Sequence, residues 1–308
     1  MSGRAQLTVL NAMAARDFDQ ALATIASWRL KWVDLWGFIY GESVDALSPG
    51  TAARIATALA DRGLGAYCLS SRIFDDTVEQ DPQAFREKHL RTLRTTLAAA
   101  ATVRPKYVRL IAGSMAGAAA MENCVAVLKE RSPWVRDVYR EAVDLILEAG
   151  FTPTLENEHS DCFLSTPEEF RDFFDWLDAP PEFRLTWDIG NSWQMGSYPT
   201  VEMYEALRPL LGYVHVKGGQ AAPEEPARAH WNVGLDATSW PVREIISAVV
   251  AGGKSPVICL NPAHGEWKPD YDYGDGRVAD TPFSQRDLAP VTARDIAFLR
   301  ANVEGIEQ

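Results

Sequence analysis

The sequence predicts a single-domain (β/α)8 TIM barrel, and three observations carry that prediction. Eight short apolar runs rich in β-branched and aromatic residues recur along the 308 residues. Each is followed by an amphipathic helical stretch, the pattern of parallel strands buried on both faces. No GxGxxG or GxxxxGK[ST] follows the first strand, which removes the phosphate-binding signature of the rival doubly wound sheet.

In chain order the expected strands are Leu7–Asn11, Lys31–Trp36, Gly65–Ser71 and Lys106–Gly113, then Phe151–Asn157, Phe183–Asn191, Leu211–Gly218 and Ser255–Asn261. The helices between them begin with FDQALATIASWRL and TAARIATALADRG and end with VTARDIAFLRANV, which closes the chain. Thr166-Pro167-Glu168-Glu169 spells a helix start: a threonine N-cap, proline at the first helical position and glutamate placed for a capping box. Gly150 stops the preceding helix and leads directly into the fifth strand. One domain over 1–308 is expected, with the long irregular segment 261–290 reading as a cover over the barrel mouth.

Composition narrows the function classes. A net charge of -12 repels phosphate backbones and anionic membrane surfaces, so neither nucleic acid nor membrane is an expected partner. No stretch reaches the ~20 apolar residues of a membrane span, and the first residues lack the apolar core of a signal peptide. Cys68, Cys124, Cys162 and Cys259 are scattered without CxxC spacing, which suits reduced thiols and a cytoplasmic location. Self-association into a homo-oligomer is compatible with the sequence.

In such a barrel the site lies at the C-terminal strand ends. There the fifth strand carries Glu156-Asn157, the sixth Asp188, the seventh His215 followed by Lys217, and the eighth Asn261. Taken singly, Glu156 could cap a helix, Asp188 could hold a turn with Gly190 and His215 could be a satisfied core histidine. Four such groups on consecutive strands point instead to one divalent ion, Mn, Mg, Co or Zn. His159, Lys217 and His264 join Glu156 as candidate proton carriers, with Glu158 also at the rim. Trp36, Arg72, Asn157, Asn191, Trp193 and Glu266 are candidate substrate contacts: aromatic faces for sugar C–H surfaces, Arg72 for an anionic group. Trp187 should point away from Asp188, because strand neighbours alternate faces. Arg109 lies in mid-strand, with Asp34 as a candidate partner in the barrel interior.

The segments LENEH, WDIGN, VHVKG and WPVREIISAV resemble the xylose isomerase-like TIM barrel family, in its sugar phosphate isomerase/epimerase group. That resemblance covers nearly the whole chain. It implies Glu156, Asp188 and His215 as ligands of one divalent metal, with Asn261 at the fourth position. It also implies a small carbohydrate as the partner, with proton abstraction beside a metal-bound oxygen of a sugar or keto-polyol, in the manner of an isomerase or epimerase. Asn261 stands where the family usually has glutamate, and an amide cannot accept a proton at neutral pH. Asn191 stands where histidine is common. The loss of a second acid/base glutamate keeps a lyase in view, a keto-sugar dehydratase or a glycoside-cleaving eliminase. A sugar-binding barrel without catalysis is the alternative of another class. The apurinic endonuclease branch is disfavoured, because five histidines and an acidic surface suit neither a trizinc cluster nor DNA.

Overall fold

The computed structural model describes residues 3–158, 161–221, 229–230, 233–261 and 288–308. Eight parallel strands form the barrel: β1 (Gln6–Val9), β2 (Trp32–Trp36), β3 (Gly65–Ser70), β4 (Tyr107–Ile111), β5 (Thr152–Glu156), β6 (Arg184–Asp188), β7 (Leu211–Val216) and β8 (Val257–Leu260). Ladder hydrogen bonds run from β2 through β3 to β8 in sequence order and on to β1. The remaining seam is closed by a bridge between Leu10 and Asp34 and by the Thr8 hydroxyl, which donates to Trp32 O at 2.8 Å. Each strand is apolar on the face that meets the helices, and that outer layer is the main core.

The intervening helices are α1 (Phe18–Ser27), α2 (Pro49–Ala60), α3 (Pro82–Val103), α4 (Cys124–Arg131), α5 (Val135–Glu148), α6 (Pro167–Trp176), α7 (Ile189–Gln194), α8 (Val201–Leu207), α9 (Val242–Gly252) and α10 (Ala289–Asn302). The capping box at α6 forms as expected: Glu169 N donates to Thr166 Oγ1 at 3.3 Å, and Thr166 N donates to Glu169 Oε2 at 3.0 Å. The same Glu169 carboxylate accepts from Cys124 N at 2.9 Å, which ties the start of α4 to that of α6. Helix α4 has no counterpart in the sequence reading. Gly150 ends the α5 turn at φ 83°, a conformation that suits glycine.

Strand six is shorter than expected. It stops at Asp188, whose Oδ1 accepts from Asn191 N at 2.9 Å and so caps α7. The turn reading of Asp188 and its position at a strand end are therefore both features of one residue. All four cysteines are unpaired and buried. No helix among the described residues is long and apolar enough to cross a membrane. The expected cover over the mouth falls mostly on 262–287, outside the described residues.

Candidate metal centre at the barrel mouth

Strand alternation selects which side chains enter the barrel. From its floor upward, inward positions carry Trp32, Tyr67, Tyr107 and Tyr213, whose rings pack against one another with neighbouring centroids 5.0–5.8 Å apart. Above them Thr154 and Thr186 share a 2.6 Å hydrogen bond. The next inward residues on β5, β6 and β7 are Glu156, Asp188 and His215. Register places Asp188 opposite His215 and Glu156 opposite Thr186.

One ligand atom from each of Glu156, Asp188 and His215 lies within 4.8 Å of the other two. Ligands bound at about 2.0–2.4 Å stand at most about 4.8 Å apart, so the trio fits one ion. All three residues are buried. Asp188 Oδ2, both ring nitrogens of His215 and Asn261 Oδ1 are buried and make no hydrogen bond, although Lys217 Nζ stands 2.9 Å from Asp188 Oδ2 and Glu156 Oε1 stands 2.9 Å from His215 Nδ1. Asn261 follows β8 and donates its N–H to Val216 O at 2.9 Å. Two carboxylates, an imidazole and an amide oxygen form a donor set suited to Mn²⁺, Co²⁺ or Zn²⁺.

Two protein cations also reach this centre. Lys217 Nζ lies 2.9 Å from Asp188 Oδ2 and donates to Asn191 Oδ1 at 3.0 Å. Its aliphatic stem crosses Gly190 so closely that a Cβ there would sit 2.5 Å from Lys217 Cγ, so glycine is required. Arg109 is bonded to Glu156 Oε2 through Nη1 and to the carbonyls of Ser70 and Ser71 through its other nitrogens. Its partner is thus Glu156, not Asp34 as expected. Burial alone would push Glu156 up, but the Arg109 and His215 charges outweigh it and hold the carboxyl below its usual range. Burial, with the charges of Glu156 and Asp75, pushes the half-buried Glu158 up.

Asn157 works on the protein rather than on the mouth. It accepts from Asp188 N at 2.9 Å and donates to Asp188 O at 3.0 Å, fixing the end of β6 by both backbone groups. Asn191 Nδ2 donates to Asn157 O at 3.0 Å and to Glu158 Oε2 at 3.3 Å. Trp193 is fully buried against Tyr198 because α7 turns it into the core. Trp187 also packs outward, its Nε1 donating to Ser192 Oγ at 3.0 Å. Trp36 is half-buried at the end of β2, and Arg72 pairs with Asp75 at 2.6 Å. His159, His264 and Glu266 lie outside the described residues. The Arg109–Glu156 pair is not foreseen from the sequence, although the alternation Tyr107, Arg109, Ile111 already turns Arg109 inward.

Comparison with known proteins agrees with this architecture. A family model described as xylose isomerase-like TIM barrel matches residues 30–277. A D-psicose 3-epimerase from Clostridium cellulolyticum H10, crystallised with D-tagatose, superposes with TM-score 0.71 at 12% identity, covering 99% of this chain and 100% of that one. A probable 3-DHS dehydratase from Bacillus anthracis gives TM-score 0.66 at 16% identity, covering 96% and 98%. The IOLI protein with a bound zinc atom gives 0.67 at 13% identity, covering 99% and 100%. At these identities the likeness is one of fold. No curated protein matches the chain.

Proposed function

Because the chain belongs to the xylose isomerase-like TIM barrel family, we propose that it is a divalent-metal-dependent enzyme acting on a sugar or keto-polyol, by proton transfer beside a metal-bound oxygen. The observation that carries this reading is the convergence of Glu156, Asp188 and His215 within 4.8 Å at the strand ends. Glu156, Asp188 and His215 would hold the ion, with Asn261 or a solvent molecule completing the set. When bound, such an ion polarises a carbonyl or hydroxyl oxygen and acidifies the neighbouring C–H.

The chain's own residues set the rest of the chemistry. Arg109 takes one oxygen of Glu156 and lowers its basicity, so Glu156 is a ligand first and a reluctant base. Lys217, 2.9 Å from Asp188 Oδ2, is placed to stabilise negative charge developing on a bound substrate or to deliver a proton. Glu158 stands beside it through Asn191, and His159 and His264 complete the proposed proton carriers. Trp36, Arg72 and Glu266 remain the proposed substrate contacts. The expected contacts Asn157, Asn191 and Trp193 spend their side chains on positioning the rim and packing the core.

One observation favours a second reading. Asn261 replaces the glutamate that a two-base epimerisation needs, and Arg109 weakens the remaining one. A lyase needs only one base and a separate acid, so a keto-sugar dehydratase or eliminase suits the same residues. A panel of ketoses and keto-glycosides in D2O, with Mn²⁺ restored, tests both readings. Deuterium exchange next to the carbonyl without elimination supports the epimerase, and an unsaturated product supports the lyase. Glu156→Gln should lower either rate at least about 10²-fold. Metal-loaded protein that yields neither outcome leaves the binding barrel as the better account.

A further inference from the structure

His215 stands between two carboxylates. Its Nδ1 lies 2.9 Å from Glu156 Oε1, on the side of the candidate metal centre. Its Nε2 lies 3.4 Å from Asp34 Oδ2, near enough to pair with it but without a formed hydrogen bond. Asp34 is fully buried on β2, a strand that contributes no ligand, and its two oxygens are held in place. Ser70 Oγ donates to Oδ1, and Tyr213 OH donates to Oδ2 at 3.0 Å. Tyr213 also packs edge-on against the His215 ring, with centroids 4.8 Å apart.

Asp34, His215 and Cys259 form a second trio with close donor atoms. It differs from the upper trio in one decisive way. Both Asp34 oxygens already accept hydrogen bonds, from Ser70 and Tyr213. In the upper trio Asp188 Oδ2 makes no hydrogen bond and has the Lys217 ammonium 2.9 Å away.

We propose that Asp34 is a positioning residue for the metal centre: with an ion in place, Asp34 Oδ2 would accept the Nε2 proton of His215 and so fix the tautomer whose Nδ1 lone pair is left for the metal. An imidazole that gives one nitrogen to a metal carries its proton on the other, and a carboxylate there orients the ring and strengthens the donor. The Ser70 and Tyr213 hydroxyls keep Asp34 aimed at that proton. This inference rests on the metal reading above, and its test separates the two.

Mn²⁺ alone is titrated into metal-free wild type and metal-free Asp34→Ala, with circular dichroism confirming that each is folded. The dissociation constant should rise about 10–100-fold in Asp34→Ala, and Asp34→Asn, which keeps an acceptor oxygen, should fall between the two. Cys259→Ser should bind as wild type does. On the wild type itself, nitrogen NMR of the Zn²⁺-loaded protein should find His215 protonated at Nε2. Wild type that binds no ion defeats the metal reading itself. Wild type that binds, with a folded Asp34→Ala within threefold of it, overturns the role of Asp34 alone. Protonation at Nδ1 overturns it too, whether or not the alanine variant folds.

Discussion

Arg109 grips Glu156 from across the β4–β5 step: its Nη1 bonds Oε2, leaving Oε1 to face His215 Nδ1 at 2.9 Å. Both side chains are almost fully buried. The pair therefore decides how the strand-five carboxylate meets the candidate metal, and with how much basicity.

Removing one partner of such a pair leaves a buried charge without compensation, at a cost of about 3–5 kcal/mol. Arg109→Gln should therefore lower unfolding stability by that order in urea titrations. The Arg86–Glu141 pair is a fair control, since its Arg86 side chain is 46% exposed. Arg86→Gln should cost about 0–1 kcal/mol. Added Mn²⁺ should restore part of the Arg109→Gln loss, because it offers Glu156 another cation. Equal losses in the two variants would contradict the account.

Asn261→Glu should tighten Mn²⁺ binding, because it sets an anionic oxygen where a buried amide oxygen now has no partner. The same change should make the metal-free protein less stable, since another carboxylate joins Glu156 and Asp188 in a buried site. Isothermal titration and thermal melts with and without metal read both effects. Weaker binding in Asn261→Glu would place Asn261 away from the ion.

The convergence of Glu156, Asp188 and His215 was legible because strand alternation and strand ends are sequence properties: each lies at or near the end of a short apolar run. The Arg109 partner was not, because two inward carboxylates, Asp34 and Glu156, compete for it and only three-dimensional register chooses. Asp188-Ile189-Gly190-Asn191 carried an N-cap signal, but the apolar run of β6 masked it and the strand was drawn too long. Trp193 followed the same error. Once α7 begins at Ile189, helical periodicity turns that ring into the core instead of the mouth. Asp34 was noticed only as a partner for Arg109, since nothing in a lone sequence places it under a histidine on β7.

Asp295 on α10 offers a pH test on a residue outside the candidate ligands. Its Oδ1 accepts from Leu235 N at 2.8 Å, while Oδ2 is buried without a hydrogen-bond partner. Burial pushes this carboxyl up from 3.8 to about 7. Between those values the folded chain keeps a proton that the unfolded chain has released, so this residue's contribution falls as pH rises through the window. Asp295→Asn keeps the Oδ1 acceptor and removes the charge. It should melt higher than wild type at pH 8, with the difference shrinking toward pH 4. Identical melting at pH 8 would show that Asp295 carries no such penalty.

The most direct test of the central claim is metal stoichiometry in Asp188→Ala. To the trio Asp188 brings a buried oxygen that makes no hydrogen bond, and Lys217, 2.9 Å from it, and Arg109 already offset part of the site's negative charge. The site therefore has little charge to lose. Elemental analysis and Mn²⁺ titration of folded protein should give one ion per wild-type chain and none per Asp188→Ala chain. One ion in both would contradict the assignment of the centre to Glu156, Asp188 and His215.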